Sequence, residues 1–226
     1  MSKGNTSEHD YLKLVYNATP IANVADNASV SPLTNLYLAL HTADPGEAGD
    51  QTTSEASFTN YVRKAVARTS GGWTVTTNQV TNAADVAFDE AGAGAAQTVT
   101  HWSCGVASGG ASKILHRGVI GTDKGVGVGA TDDSITCPGH GLAENDRVIF
   151  HAVPGSTIPT GLTEGTAYHV RAGATTDTFT VSATAGGAAV DITAAGAMRV
   201  FRATPVVVSE GVVVKFAAGA LVILED

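Results

Sequence analysis

The sequence predicts an all-β protein: an antiparallel β-sandwich of jelly-roll-like form, with a small β-domain inserted into it and a short helical arm in front. Three observations carry this. LYLALHTADP (36–45) alternates Leu36, Leu38 and Leu40 on one face with Tyr37, Ala39 and His41 on the other, the period-two pattern of a strand. Asp44-Pro45-Gly46 then stops it with turn chemistry. Composition agrees, because 43% of the 226 residues are hydrophobic, only 15% are charged and 26 are glycine, which suits many short strands joined by tight turns.

Charge and cysteine content narrow the class of partner. The net charge of −8 repels a phosphate backbone, so nucleic acid is not an expected partner. No apolar run is long enough to span a membrane, and the polar start MSKGNTSEHD does not read as a secretory signal. Cys104 and Cys137 sit in separate segments and read as two buried thiols of a protein made in a reducing cytoplasm, with one disulfide as the alternative.

Residues 1–35 read as an arm with one short helix. Thr6 or Ser7 can cap it, Glu8 and Asp10 suit its positive end, and Tyr11, Leu14 and Val15 form an i, i+3, i+4 stripe. Two readings stand open: the helix packs on its own domain, or the arm reaches a neighbouring subunit or particle surface. On the second, the contact residues are Tyr11, Leu14, Val15, Ile21 and Val24.

The next segments alternate turns and strands. Gly46–Ser57 is polar and reads as a solvated loop. FTNYVRKAVAR (58–68) alternates without a clean face, which suits a strand near an edge or one bent by a bulge. Gly71-Gly72 turns the chain into Trp73–Thr76, with Trp73 a core or rim aromatic. Val86 and Phe88 point inward, and AGAGAA (91–96) reads as flexible. Thr98–Gly105 and Lys113–Ile120 read as antiparallel partners across Gly109-Gly110. Near the C-terminus, 205–209 and 212–216 are further strands. LVIL (221–224) is apolar on both faces, which predicts a place in the sandwich interior.

Taken in order, LYLALHTADP, FTNYVRKAV, Trp73, NAADVAFDEA, VTHWSCG, GASKILHRGVI and the VSEG…FAAGALVILED ending resemble a family of small tailed-phage virion proteins, usually labelled phage tail fibre, tail component or virion structural protein. The resemblance covers about 36–120 and 205–226. It implies a non-enzymatic particle component in which KILHRGVI and TPVVVSE are neighbouring strands joined by a short loop. Here about 80 residues separate them, opening with GTDKGVGVG (121–129), a flexible linker by composition. The remainder looks like a small β-module added to many phage structural proteins. Its marks are Gly139–Leu142, Asp146–Phe150, Pro159–Leu162, Tyr168–Val170 and Asp177–Phe179. The expected domains are therefore 1–35, 36–122 plus 203–226, and an inserted 123–202.

Motifs for chemistry are scarce. Seven histidines carry no HExxH or His-x-His spacing, and there is no Cys-x-x-Cys; only His101 and His116 are placed to meet, across the hairpin. GTDKGVGVGA lacks the Gly-Lys-Ser/Thr end of a phosphate loop, and Ser103-Cys104-Gly105 is not a nucleophile elbow. No catalytic residue, cofactor or metal is implied. The expected function is a structural component of a virion assembled in the host bacterial cytoplasm, foremost a capsid decoration or cement protein on the head. The alternative is a tail fibre, collar or tail-tip protein that displays the insert to a host-surface glycan or receptor. Expected partners are itself, as a homo-oligomer and most simply a trimer, and other virion proteins such as the major capsid protein.

Overall fold

The computed structural model of the protein describes residues 5–21, 32–153 and 155–224. Among the described residues one helix, α1 (Asn5–Asn17), leads. Eight strands follow: β1 (Asn35–His41), β2 (Lys64–Ala67), β3 (Trp73–Thr76), β4 (Gln79–Asn82), β5 (Val86–Ala87), β6 (Ala96–Val99), β7 (His101–Gly105) and β8 (Ile114–Val119). Then come β9 (Gly121–Gly129), β10 (Ile135–Thr136), β11 (Arg147–Ala152), β12 (Ala167–Val170), β13 (Thr178–Phe179), β14 (Val181–Ser182) and β15 (Gly196–Ala203). The chain closes with β16 (Val206–Ser209), β17 (Lys215–Phe216) and β18 (Val222–Leu224). The ladders are antiparallel and the architecture is the all-β sandwich that the alternation predicts. Two compact units divide it: residues 1–117 with 207–226, and residues 118–206.

In the first unit β1 is an inner strand of a four-stranded sheet ordered β2-β1-β7-β8. Leu36, Leu38 and Leu40 are buried on one face, Ala39 and His41 on the other, so both faces of the strand are covered. At the turn that ends it, Gly46 N donates to Asp44 Oδ1 at 2.9 Å, while Asp44 accepts two 2.7 Å bonds from Arg117. The strand expected over 58–68 is shorter than its alternation suggests. Residues 58–61 turn instead, with Asn60 at φ 74° and Tyr61 N donating to Phe58 O at 2.9 Å. That turn sets Phe58 edge-to-face with Tyr61 (5.2 Å) and stacks Tyr61 on Phe88 (6.0 Å). Aromatic packing, not sheet pairing, therefore explains the mixed pattern. What remains, β2, lies at the sheet edge.

The single strand expected over 98–105 is broken at Thr100, where the chain changes sheets. Thr100 N donates to His41 O at 2.9 Å; before it β6 pairs with β16, after it β7 pairs with β1. The C-terminal strands return in reverse order, β16 to β6, β17 to β5 and β18 to β4. This corrects the expected neighbour of the 205–209 strand, whose ladder partner is β6. It also corrects LVIL, since β18 is the edge of a sheet ordered β18-β4-β3. Only Leu221 and Ile223 are buried there, and Val222 and Leu224 are each about half exposed.

Helix α1 buries a different stripe from the expected one. Glu8, Leu12 and Tyr16, spaced i, i+4, i+8, are buried, whereas Tyr11 is exposed and Leu14 and Val15 are half-buried. The surface that receives the helix decides the rotation. Tyr16 meets Trp73 edge-to-face at 4.8 Å, and Arg68 donates to the carbonyls of Val15 (2.7 Å) and Leu14 (2.8 Å). Ala18, at φ 53°, ends the helix.

The second unit is one seven-stranded sheet, ordered β13-β10-β9-β15-β11-β12-β14. Its core includes Ile135, Val148, Phe150, Phe179, Met198 and Val200. The stretch read as a flexible linker is strand β9, paired with β15 along nearly its whole length. Its glycines are there for closeness, not mobility. A Cβ at Gly127 would come within 2.8 Å of Val200 Cγ2, and one at Gly129 within 2.6 Å of Pro159 Cγ. The intervening Val126 and Val128 face outward, about half exposed. In the Gly139–Leu142 turn, His140 is fully buried and its Nδ1 accepts from Leu142 N at 2.9 Å.

Candidate functional site

Polar groups are concentrated on one face of the four-stranded sheet. Register pairs Tyr37 with Gly105, Ala39 with Ser103 and His41 with His101. His41 and Ser103 are therefore diagonal neighbours on the same face. Both are fully buried, and a buried polar group needs a partner. The loop after β1 supplies them. It folds back onto the sheet through Thr42 N to Ser54 O and Ala56 N to Leu40 O, both 2.8 Å, and Gln51 N to Ser112 O at 3.0 Å. The reading of 46–57 as a solvated loop is thus corrected: Gln51 and Ala56 are buried, because this segment satisfies the polar face of the sheet.

The resulting network is closely specified. His41 Nδ1 donates to Thr53 O at 2.9 Å, which leaves Nε2 as the acceptor of the Ser103 hydroxyl at 2.7 Å. The Gln51 amide donates from Nε2 to Tyr37 O at 2.9 Å and to Ser103 Oγ at 3.2 Å. Its Oε1 accepts from Arg63 Nη1 at 3.3 Å. Arg63 is itself locked by Glu55, with Nε to Oε1 at 2.7 Å and Nη2 to Oε2 at 2.8 Å, and by the carbonyls of Ala107 and Gly110. Tyr61 donates to Glu55 and accepts from Leu40 N. Burial holds the His41 imidazole below its ordinary pKa, against the opposing pull of the Thr53 carbonyl. The hydrogen bonds that Arg63 donates to the Glu55 carboxylate hold the guanidinium firmly protonated.

Chemically the centre is a serine hydroxyl, a neutral imidazole and a carboxamide in mutual contact, with a guanidinium on the amide oxygen. His41, Gln51 and Ser103 are all inaccessible to solvent, so no external substrate reaches Ser103. Sequence inspection singled out neither Gln51 nor Ser103 as functional. The available signal was a histidine and a serine on strand faces that otherwise bury apolar side chains.

The expected contact residues are dispersed. Tyr11 is on the outer face of α1, Leu14 and Val15 flank its packed side with their carbonyls engaged by Arg68, Ile21 is half-buried, and Val24 lies outside the described residues. Helix α1 packs on its own domain, through Tyr16 on Trp73 and the Arg68 bonds to its last turn. His101 and His116 have separate partners: His101 Nδ1 contacts Thr100 Oγ1 at 2.8 Å, and His116 Nδ1 bonds the Tyr16 hydroxyl. Cys104 and Cys137 are free and buried. Burial pushes the Cys104 thiol up to about 12, and Cys137 Sγ donates to Lys124 O at 3.3 Å.

Residues 15–135, which carry α1's packed end, β1–β9 and the whole polar network, match the family described as podophage GP4 fiber I protein gp80. The chain belongs to that family. The gp80 family is one of phage virion structural proteins, in keeping with the resemblance carried by the strand-and-turn motifs. No curated protein matches the chain. The stretch shared with gp80 ends at residue 135, so β11–β15 lie beyond it.

Proposed function

We propose that the protein is a fibre-associated component of a podophage particle, a scaffold that presents the 118–206 unit at the particle surface for contact with a host-surface glycan or receptor. The match to a fiber protein family over the body of the first unit carries this reading. The position of the second unit supports it, since that unit is spliced between β8 and β16 of a body that is otherwise contiguous. Head decoration, which the sequence favoured through an anchoring arm, loses part of its motivation because α1 is seated on its own core. The role is binding and scaffolding, without turnover. Assembly is with itself, as a trimer, and with other virion proteins, Val207, Val213, Val222 and Leu224 being exposed apolar residues of the C-terminal return.

Gold-labelled antibody on purified particles, with copy number from a quantitative gel, tests the location. Labelling confined to the fibres at low copy number supports the proposal. Label spread over the head, with hundreds of copies, would replace it by head decoration. Light scattering on the purified chain at micromolar concentration tests the trimer, and a monomer there would count against it.

A further inference from the structure

We propose that the buried Ser103–His41–Gln51 centre is a self-modification site, at which Ser103 and Gln51 join in an intramolecular ester with release of ammonia. Each requirement of such an acyl transfer is met by a residue in place. The nucleophile is Ser103 Oγ, 2.7 Å from His41 Nε2. The base is in its competent tautomer, because the Thr53 carbonyl occupies the proton on Nδ1 at 2.9 Å. The acyl donor is the Gln51 carboxamide, whose Nε2 lies 3.2 Å from the same Oγ. Arg63 Nη1 donates to Oε1 at 3.3 Å, where negative charge develops in the tetrahedral intermediate.

The atoms balance without a co-reactant. The bond from Ser103 Oγ to Gln51 Cδ forms and the bond from Cδ to Nε2 breaks. The hydroxyl proton passes through His41 Nε2 to the departing nitrogen, which leaves as ammonia. Nothing is oxidised or reduced. Rotation of the amide about its last side-chain torsion leaves Cδ in place and turns the face of the carbonyl toward Oγ, and Gly105 leaves the room for the side chain, since a Cβ there would collide with Gln51 Cδ and Oε1. Holding nucleophile and acyl donor together in a closed site replaces a bimolecular encounter. Complete burial of His41, Gln51 and Ser103 also keeps out the water that would hydrolyse the ester. The low basicity that burial confers leaves His41 neutral, hence a base, at neutral pH. The product would tie the loop after β1 covalently to β7, which suits a chain that bears load.

A simple structural network would show the same hydrogen bonds but no change in mass, and that difference is the test. The purified full chain is incubated at neutral pH and weighed intact, then digested and sequenced by tandem mass spectrometry. The expected species is lighter by one ammonia, about 17 Da, with the peptide holding Gln51 linked to the peptide holding Ser103. Hydroxylamine under denaturing conditions should release the link, as it does for an ester and not for an amide. Ser103→Ala should retain the full sequence mass, and His41→Gln should slow the reaction by at least about tenfold. Should a variant fail to fold, the linked peptide and its hydroxylamine sensitivity in the unaltered chain still decide the matter. A fully folded chain of unaltered mass after prolonged incubation, or a loss of ammonia mapped elsewhere, overturns the proposal.

Discussion

The two units solve the burial problem in opposite ways. The first brings a histidine, a glutamine, a serine and an arginine into its interior and satisfies them against one another and against loop carbonyls. The second fills its interior mainly with Ile, Val, Phe and Met, with His140 and Ser182 as its fully buried polar residues, and lets strands approach through glycines at 127 and 129. A satisfied polar network specifies one arrangement but fails badly when one member is lost. An apolar core degrades more gradually, in step with volume. The units should therefore differ in how they respond to substitution and to pH.

The largest effect is expected from Arg63→Ala. It leaves Gln51 Oε1 and two carbonyls without their donor and Glu55 with only the Tyr61 hydroxyl, and removing one partner of a buried ion pair costs about 3–5 kcal/mol. Denaturant unfolding should show a first transition moved to lower concentration while the second unit is unaffected; an unchanged curve would mean the network is solvated in solution. Gly127→Ala addresses the other unit. Its Cβ meets Val200, and overpacking of this kind costs about 1–3 kcal/mol, so thermal unfolding of the second unit should move down and that of the first should not.

Acid should separate the units further. His41 has its pKa lowered mainly by burial, with Asp44 and Glu55 pulling it up and Arg63 pulling it down. The unfolded chain therefore binds the proton more readily than the folded one. Stability is at its full value above the unfolded pKa of about 6.5 and falls as pH drops below it, by at most about 1.4 kcal/mol per pH unit for one proton. Melting curves from pH 8 to pH 5 should show this loss in the chain as it is and lack it in His41→Gln. An equal slope in both would assign the pH response to other groups. The smallest effect belongs to Val222→Thr on the half-exposed edge strand β18, expected within about 0.5 kcal/mol. The same change should weaken self-association if this edge is part of the proposed oligomer, a comparison read by light scattering.

Much of the fold was legible locally. The alternation of 36–41, the stop at Asp44-Pro45-Gly46, the buried Trp73 and the edge position of the 64–67 strand all follow from period and turn chemistry. So does the membership in a phage structural family, because an ordered set of such signatures is itself a one-dimensional property. What the sequence did not reveal is where residues far apart in the chain meet. The apolar stripe of α1 was ambiguous by one position until Trp73 and Arg68 chose Leu12 and Tyr16. GTDKGVGVG carries the composition of a linker, and only its neighbours Val200 and Pro159 show that glycine stands there because nothing larger fits. His41, Gln51 and Ser103 belong to a strand, a polar loop and another strand, and no local period relates them. Periodicity reports which face of an element is buried; the partner that a buried polar group finds there is decided when distant segments fold together.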